Sequence, residues 1–208
     1  MDSKDLVDPE DIVNLFKSIQ ETLHELQIKW ALIGGLAVST HANPRFTNDI
    51  DLSVSATSDK EVEHIVFQLQ QRKWKAEHIF EDKEKNYIST VRFTHPQHPD
   101  IFIDLLFASS GIETEIVEQA LSLEAIPDVE IKVAQIGHLL ALKILSEAPG
   151  REQDTLDIRA LLQEANDIDI KKAKEACVLI TSRGFHRERN LLELLEQHLT
   201  INQSNSSV

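Results

Sequence analysis

Hydrophobic positions recur along this chain in two rhythms, and the balance between them shifts part-way. Over residues 9–26, Ile12, Leu15, Phe16, Ile19, Leu23 and Leu26 fall three and four apart, which predicts an amphipathic helix with Pro9 in its first turn. Residues 29–33 predict a short strand. Residues 35–41 predict a brief helix that stops near Asn43-Pro44, because the residue before a proline avoids the α region. From Asp49 to Val54 the rhythm has period two: Asp49, Asp51 and Ser53 share one face of a strand, and Ile50, Leu52 and Val54 the other. Ser58 or Asp59 can cap a helix that carries Val62, Ile65, Val66 and Leu69. Residues 74–80 and 87–94 predict a strand pair joined by the charged turn EDKEKN, and the run IFIDLLF over 101–107 predicts another strand.

After residue 111 helical spacing takes over. A helix is expected over 112–121, short extended segments over 123–133 around Pro127-Asp128, and helices near 135–147, 152–165, 169–182 and 187–199. The pattern predicts an α+β fold: a small mixed sheet with flanking helices over residues 1–111, a mainly helical lobe over 112–201 and a disordered polar tail over 202–208. A cleft between the two lobes is the expected place for an active site.

Composition narrows this reading modestly. The formal net charge of −14 over 208 residues favours solubility and disfavours non-specific nucleic-acid binding, without excluding a local basic groove. A single cysteine, Cys177, excludes an internal disulfide and fits a reducing, cytoplasmic setting. No apolar run is long enough to span a membrane, and the acidic N-terminus has no signal-peptide core. The nine histidines show no zinc spacing.

The chemistry concentrates in acids placed where acids are expensive. Two carboxylates on one strand face, Asp49 and Asp51, repel each other unless a cation or a proton resolves them. Asp104 stands alone in an apolar strand, where a charge needs a partner or a metal. If its strand lies beside the first, three carboxylates meet at one sheet edge, a set suited to Mg²⁺ or Mn²⁺ and phosphate. Gly34-Gly35 ends the preceding apolar run in a tight turn. Arg45 reads either as a planar fork for phosphate or as a loop charge, and Thr47 is similarly open. Lys143 falls on the apolar face of its helix, so it snorkels, pairs with an acid such as Glu147, or points into a cleft. Asp154 and Asp157 lie three apart on one helix face, and solvated acids are the plain reading of that spacing. Arg151 precedes them and can meet a phosphate or cap its loop. The segment RGFHRERN over 183–190 is a small basic patch that reads either as a nucleic-acid contact or, more plainly, as a solvated turn between helices.

Gly-Gly, then the DxD pair in PRFTNDIDL, then a distant single Asp resembles the nucleotidyltransferase superfamily related to DNA polymerase β. The segment HLLALKILSEAPGREQDTLDIRALL resembles its AbiEii-like bacterial toxin branch, with Lys143, Arg151, Asp154 and Asp157 on the pattern. The chain departs from it by Gly35 where many members carry Ser and by Gln153 where Lys is frequent. The resemblance implies transfer of a nucleoside monophosphate from an NTP to a hydroxyl of an RNA, protein or small-molecule acceptor. It implies Asp49, Asp51 and Asp104 as metal ligands and catalytic residues. Gly34, Gly35, Arg45, Thr47, Lys143, Arg151 and Asp157 would lie around the nucleotide, with Lys143 also catalytic. A tRNA or protein acceptor and a cognate antitoxin are the implied partners. The alternative is a non-catalytic nucleotide-binding or interaction module on the same fold.

Overall fold

The computed structural model describes residues 9–45, 47, 49–82, 87–126 and 129–205. Helix α1 (Pro9–Glu25) leads into strand β1 (Trp30–Ile33), helix α2 (Gly34–His41), strand β2 (Asp49–Val54) and helix α3 (Asp59–Gln71). Strands β3 (Lys75–Asp82), β4 (Tyr87–His95) and β5 (His98–Leu106) follow, then a short helix α4 (Glu113–Glu118) and strands β6 (Leu121–Ile126) and β7 (Val129–Val133). Four helices complete the chain: α5 (Ile136–Ser146), α6 (Glu152–Glu164), α7 (Asp167–Ser182) and α8 (Leu191–Asn205).

The strands form a seven-stranded mixed sheet in the order β3-β4-β5-β2-β1-β7-β6. The fold is therefore α+β, as the sequence predicts. β2 pairs antiparallel with β1 and parallel with β5, so Asp51 is opposite Asp104 in register. The apolar side of that pairing is fully packed: Ile50, Leu52, Ile103 and Leu105 are buried completely. The same alternation that buries these residues leaves Asp49, Asp51 and Asp104 on the opposite face.

Local chemistry sets the element ends. Ser58 caps α3, its hydroxyl accepting from the Glu61 N–H. Asn166 starts α7 with a reciprocal capping box to Asp169, two residues before the predicted start. The predicted helix over 112–121 shortens to α4, and the extended segments over 123–133 become the β6–β7 hairpin, which joins the sheet when β7 docks parallel on β1. Residues 186–189 form a turn, so the last helix begins at Leu191, and it runs on into the predicted tail as far as Asn205. Residues 83–86, most of the predicted EDKEKN turn, the predicted Pro127-Asp128 and 206–208 lie outside the described residues. Helices α5 to α8 pack on one another, and α5 and α6 also meet α2 at the sheet's acidic face.

Candidate active site

The acidic face opens into a cleft of about 700 Å³ between the sheet and the C-terminal helices. Gly34, Asp51, Arg92, Asp104, Lys143 and Arg151 line its polar part. Gly34 holds φ at +66°, and a Cβ there would sit 1.9 Å from Asp51 Oδ2. The position thus needs glycine twice, for its left-handed backbone and for the approach of the carboxylate. Gly35 follows at the start of α2, whose first N–H groups are the helix's unpaired donors, suited to phosphate. A Cβ on Gly35 would strike Arg45 Nη2 at 2.6 Å. The guanidinium of Arg45 fills the space that a side chain at position 35 would take.

Burial pushes the Asp51 carboxyl up to about 7, and the negative charges of Asp104 and Asp49 push in the same direction. Asp49 is raised too, by burial first, with Arg92 opposing. These carboxylates are paired with each other in a place that disfavours negative charge.

Arg92 is a site residue that the sequence motifs do not single out. It lies on β4 opposite Asp104, and its Nε and Nη2 donate to Asp104 Oδ1 and Oδ2 at 2.8 and 2.7 Å. This bidentate fork is a strong and orienting form of ion pair. The ring of Phe102 lies 4.8 Å from its guanidinium carbon. The sequence does carry a signal for Arg92, since a lone charge inside YISTVRFTH is as anomalous as the lone acid in IFIDLLF.

A second cluster supports the cleft from the helical side. Lys143 Nζ reaches Asp154 Oδ1 at 2.9 Å and Asp157 Oδ2 at 2.8 Å. Its predicted alternative partner, Glu147, instead accepts from Thr155 and meets His198. Asp154 and Asp157 are 3% and 1% exposed, so they are not solvated helix acids as their spacing suggests. The fold turns that helix face inward against α2 and α5, which spacing alone does not reveal. Arg45 donates Nε and Nη2 to the two Asp157 oxygens, both at 2.8 Å, and Gln153 adds a third contact at 2.9 Å. Burial works against the Asp157 charge, yet the bonds from Arg45, Lys143 and Gln153 hold its carboxyl below the usual range. Arg151 Nε contacts Asp154 Oδ2 at 2.7 Å and stays largely exposed. Thr47 Oγ1 lies 3.5 Å from the Asp49 backbone, at the start of β2.

The sheet brings Asp49, Asp51 and Asp104 onto one face. Among the described residues, however, no three His, Cys, Asp or Glu side chains converge on a single ion position. The fork of Arg92 holds both oxygens of Asp104. The donor set still fits a hard divalent cation, because Asp49 and Asp51 are oxygen ligands whose mutual repulsion and burial a cation would relieve. The groups that would hold it are Asp49 and Asp51, with Asp104 beside them.

The profile of a protein family described as "Nucleotidyl transferase AbiEii toxin, Type IV TA system" matches residues 19–204. The chain belongs to the AbiEii family. It is a nucleotidyltransferase. The match takes in β1 to α8 and hence every site residue described above. Among solved structures, an antigenic nucleotidyltransferase-like protein from Paracoccidioides brasiliensis is similar at 14% identity, over 91% of this chain and 94% of that one, with a TM-score of 0.54. That likeness shows the nucleotidyltransferase fold. The lincosamide antibiotic adenylyltransferase LnuA, solved with lincomycin bound, matches at 15% identity over 76% of this chain and 99% of that one, with a TM-score of 0.46. The comparison with curated proteins gives no match. No helix among the described residues is long and apolar enough to cross a membrane.

Proposed function

We propose that this AbiEii-family protein transfers NMP from an NTP to the hydroxyl of an RNA acceptor, with Mg²⁺ or Mn²⁺, as the toxin of a toxin–antitoxin pair. The observation that carries the site assignment is the in-register pairing of Asp51 with Asp104 beside the Gly34 turn. The acceptor oxygen attacks the α-phosphorus, a new P–O bond forms, and the bond to pyrophosphate breaks. A divalent cation, when bound, supplies charge neutralisation at the phosphate oxygens.

The chain's own groups do the rest by position and charge. The N-terminus of α2 faces the triphosphate with its free N–H groups. Lys143, oriented by Asp154 and Asp157, places positive charge on the helical wall of the cleft. Arg45, clamped by Asp157, covers Gly35 and fixes the entry to α2. Asp104 takes the proton of the attacking hydroxyl. A carboxylate oxygen has room for more than one hydrogen bond, so the Arg92 fork, one bond to each oxygen, orients the carboxylate while leaving it acceptor capacity.

One feature supports RNA as acceptor, with tRNA ends among the candidates. The cleft lining includes Phe80, Tyr87 and Phe185, the last two 5.8 Å apart, a surface on which an unpaired base can stack. The test is incubation with each α-³²P-labelled NTP, Mg²⁺ and a cell extract. Label should appear on one RNA class with wild type and disappear with Asp51→Asn and Asp104→Asn. Label on protein or a small molecule would overturn the acceptor, and undiminished labelling by both variants would overturn the site.

The grip of Arg92 on both Asp104 oxygens favours one other reading, a nucleotide-binding module that does not turn over. Metal-dependent NTP binding with no labelled product under any condition would establish it.

A further inference from the structure

The turn between α7 and α8 is built at an energetic disadvantage, and the catalytic groups above make no use of it. The Arg189 N–H closes it onto the His186 carbonyl at 2.9 Å. Its two central residues, Arg187 and Glu188, both have left-handed backbones, with φ of +52° and +58°. Such a turn is normally made by Asn and Gly, because side chains with a Cβ are strained there. Strain of this kind persists where the surroundings enforce it, and it clusters at ligand sites.

The surroundings here do enforce it. The Arg189 guanidinium caps the end of α5, donating to the carbonyls of Ile144, Leu145 and Glu147 at 2.9, 3.1 and 2.6 Å. On the other side Phe185 packs on Gly111, where a Cβ would come within 2.4 Å of its ring. Pinned at both ends, the turn presents Arg187 to the cleft that holds Asp51, Asp104 and Lys143. Among the described residues Arg187 makes no hydrogen bond or ion pair. Its chain neighbour Glu188 lines the same cleft without pairing to it. Other cations lie close by: burial first, then repulsion from Arg151 and Arg189, lowers its pKa, with Tyr87 opposing. Beside it, His186 Nδ1 is buried without a partner. A planar guanidinium held open beside other cations, in a strained turn facing a phosphoryl-transfer cleft, lacks an anion.

We propose that Arg187 is a phosphate contact of this cleft, taking oxygens of the NTP polyphosphate from the wall opposite the sheet. The proposal rests on the nucleotidyltransfer reading of the same site and adds a residue from the far end of the chain. The shared chemistry is phosphate, and an acceptor phosphodiester is the other possible source.

Calorimetric titration with inorganic tripolyphosphate, without added metal, separates these cases. Wild type should bind, and Arg187→Gln should bind at least tenfold more weakly with an unchanged melting temperature. Arg187→Gly should lose affinity equally while melting no lower than wild type, because glycine relieves the left-handed backbone. Arg187→Lys should fall between, keeping the charge without the fork. Asp51→Asn should retain the Arg187-dependent binding, so turnover by that variant would overturn the catalytic reading alone. Wild-type affinity for tripolyphosphate in Arg187→Gln overturns the proposal. So does a variant that binds tripolyphosphate normally but a single-stranded RNA lacking a 5′ triphosphate tenfold more weakly, since the phosphate would then belong to the acceptor.

Discussion

At the scale of single residues, the site is defined by close approach. Gly34 touches Asp51 so tightly that no side chain can be added between them. Gly34→Ala meets both that contact and a left-handed backbone, where an L-residue is disfavoured by about 1–2 kcal/mol. The variant should melt several degrees lower and lose most labelling activity, measured by thermal unfolding beside the α-labelled NTP assay. A normal melting curve with normal activity would show that the turn can move away from Asp51. Arg92 makes a different demand. If its role is to orient Asp104, Arg92→Gln should lower kcat by one to two orders of magnitude with little change in KM for the NTP. Arg92→Lys should recover only part of the loss, because an ammonium cannot reproduce the two-pronged contact. Equal effects on kcat and KM would instead make Arg92 a nucleotide contact.

At the scale of elements, the sheet and the helical half are tied by one buried ion cluster. Arg45, from the segment after α2, and Lys143 of α5 both pair with Asp157 of α6. Removing one partner from a buried pair strands the others, at a loss of about 3–5 kcal/mol. Asp157→Ala should therefore lower the stability in urea by that order and disturb the cleft, whereas Arg151→Ala, an exposed partner of Asp154, should change stability little. This cluster also shows what the sequence can and cannot disclose. The period-two run DIDLSV and the lone acid of IFIDLLF determine their faces by alternation alone, so Asp49, Asp51 and Asp104 are legible in the residue pattern itself. The inward turn of Asp154 and Asp157 depends on how α6 packs, and three-residue spacing is equally good for solvated acids. Arg92 depends on the register of β4 against β5, and the Arg187 backbone on a turn that breaks the usual residue preferences. Such features arise from pairing between distant segments, to which local periodicity is blind. The β6–β7 hairpin is hidden for the same reason: its short segments become sheet only because β1 offers a free edge.

At the scale of the whole molecule, within a net charge of −14, the cleft gathers Arg92, Lys143, Arg151 and Arg187 beside the acids Asp51, Glu81, Asp82, Asp104 and Glu188. Outside that cleft, one buried titratable group ties stability to pH. His138 of α5 is 4% exposed, packed near Glu115 of α4 and Lys172 of α7. Burial lowers its pKa to about 4, with the charge of Lys172 acting in the same sense and Glu115 opposing. In the unfolded chain a histidine titrates near 6.5. Between these values the unfolded state binds the proton and the folded state does not, so the stabilising difference is intact above about pH 6.5 and is lost as pH falls towards 4. The difference corresponds to about 3 kcal/mol, a sizeable part of a typical domain's stability. The depressed carboxyl of Asp157 adds acid sensitivity of its own, lost at still lower pH as its ion partners are left without a counter-charge. The two are separable by substitution. His138→Leu keeps an apolar volume in the α5–α7 contact and removes this titration, so from pH 7 to pH 5 wild type should lose unfolding free energy relative to the variant, the raised Asp51 carboxyl contributing equally to both. An identical pH dependence in both proteins over this interval would mean that the imidazole is reached by solvent and titrates in the native state as it does in the unfolded chain.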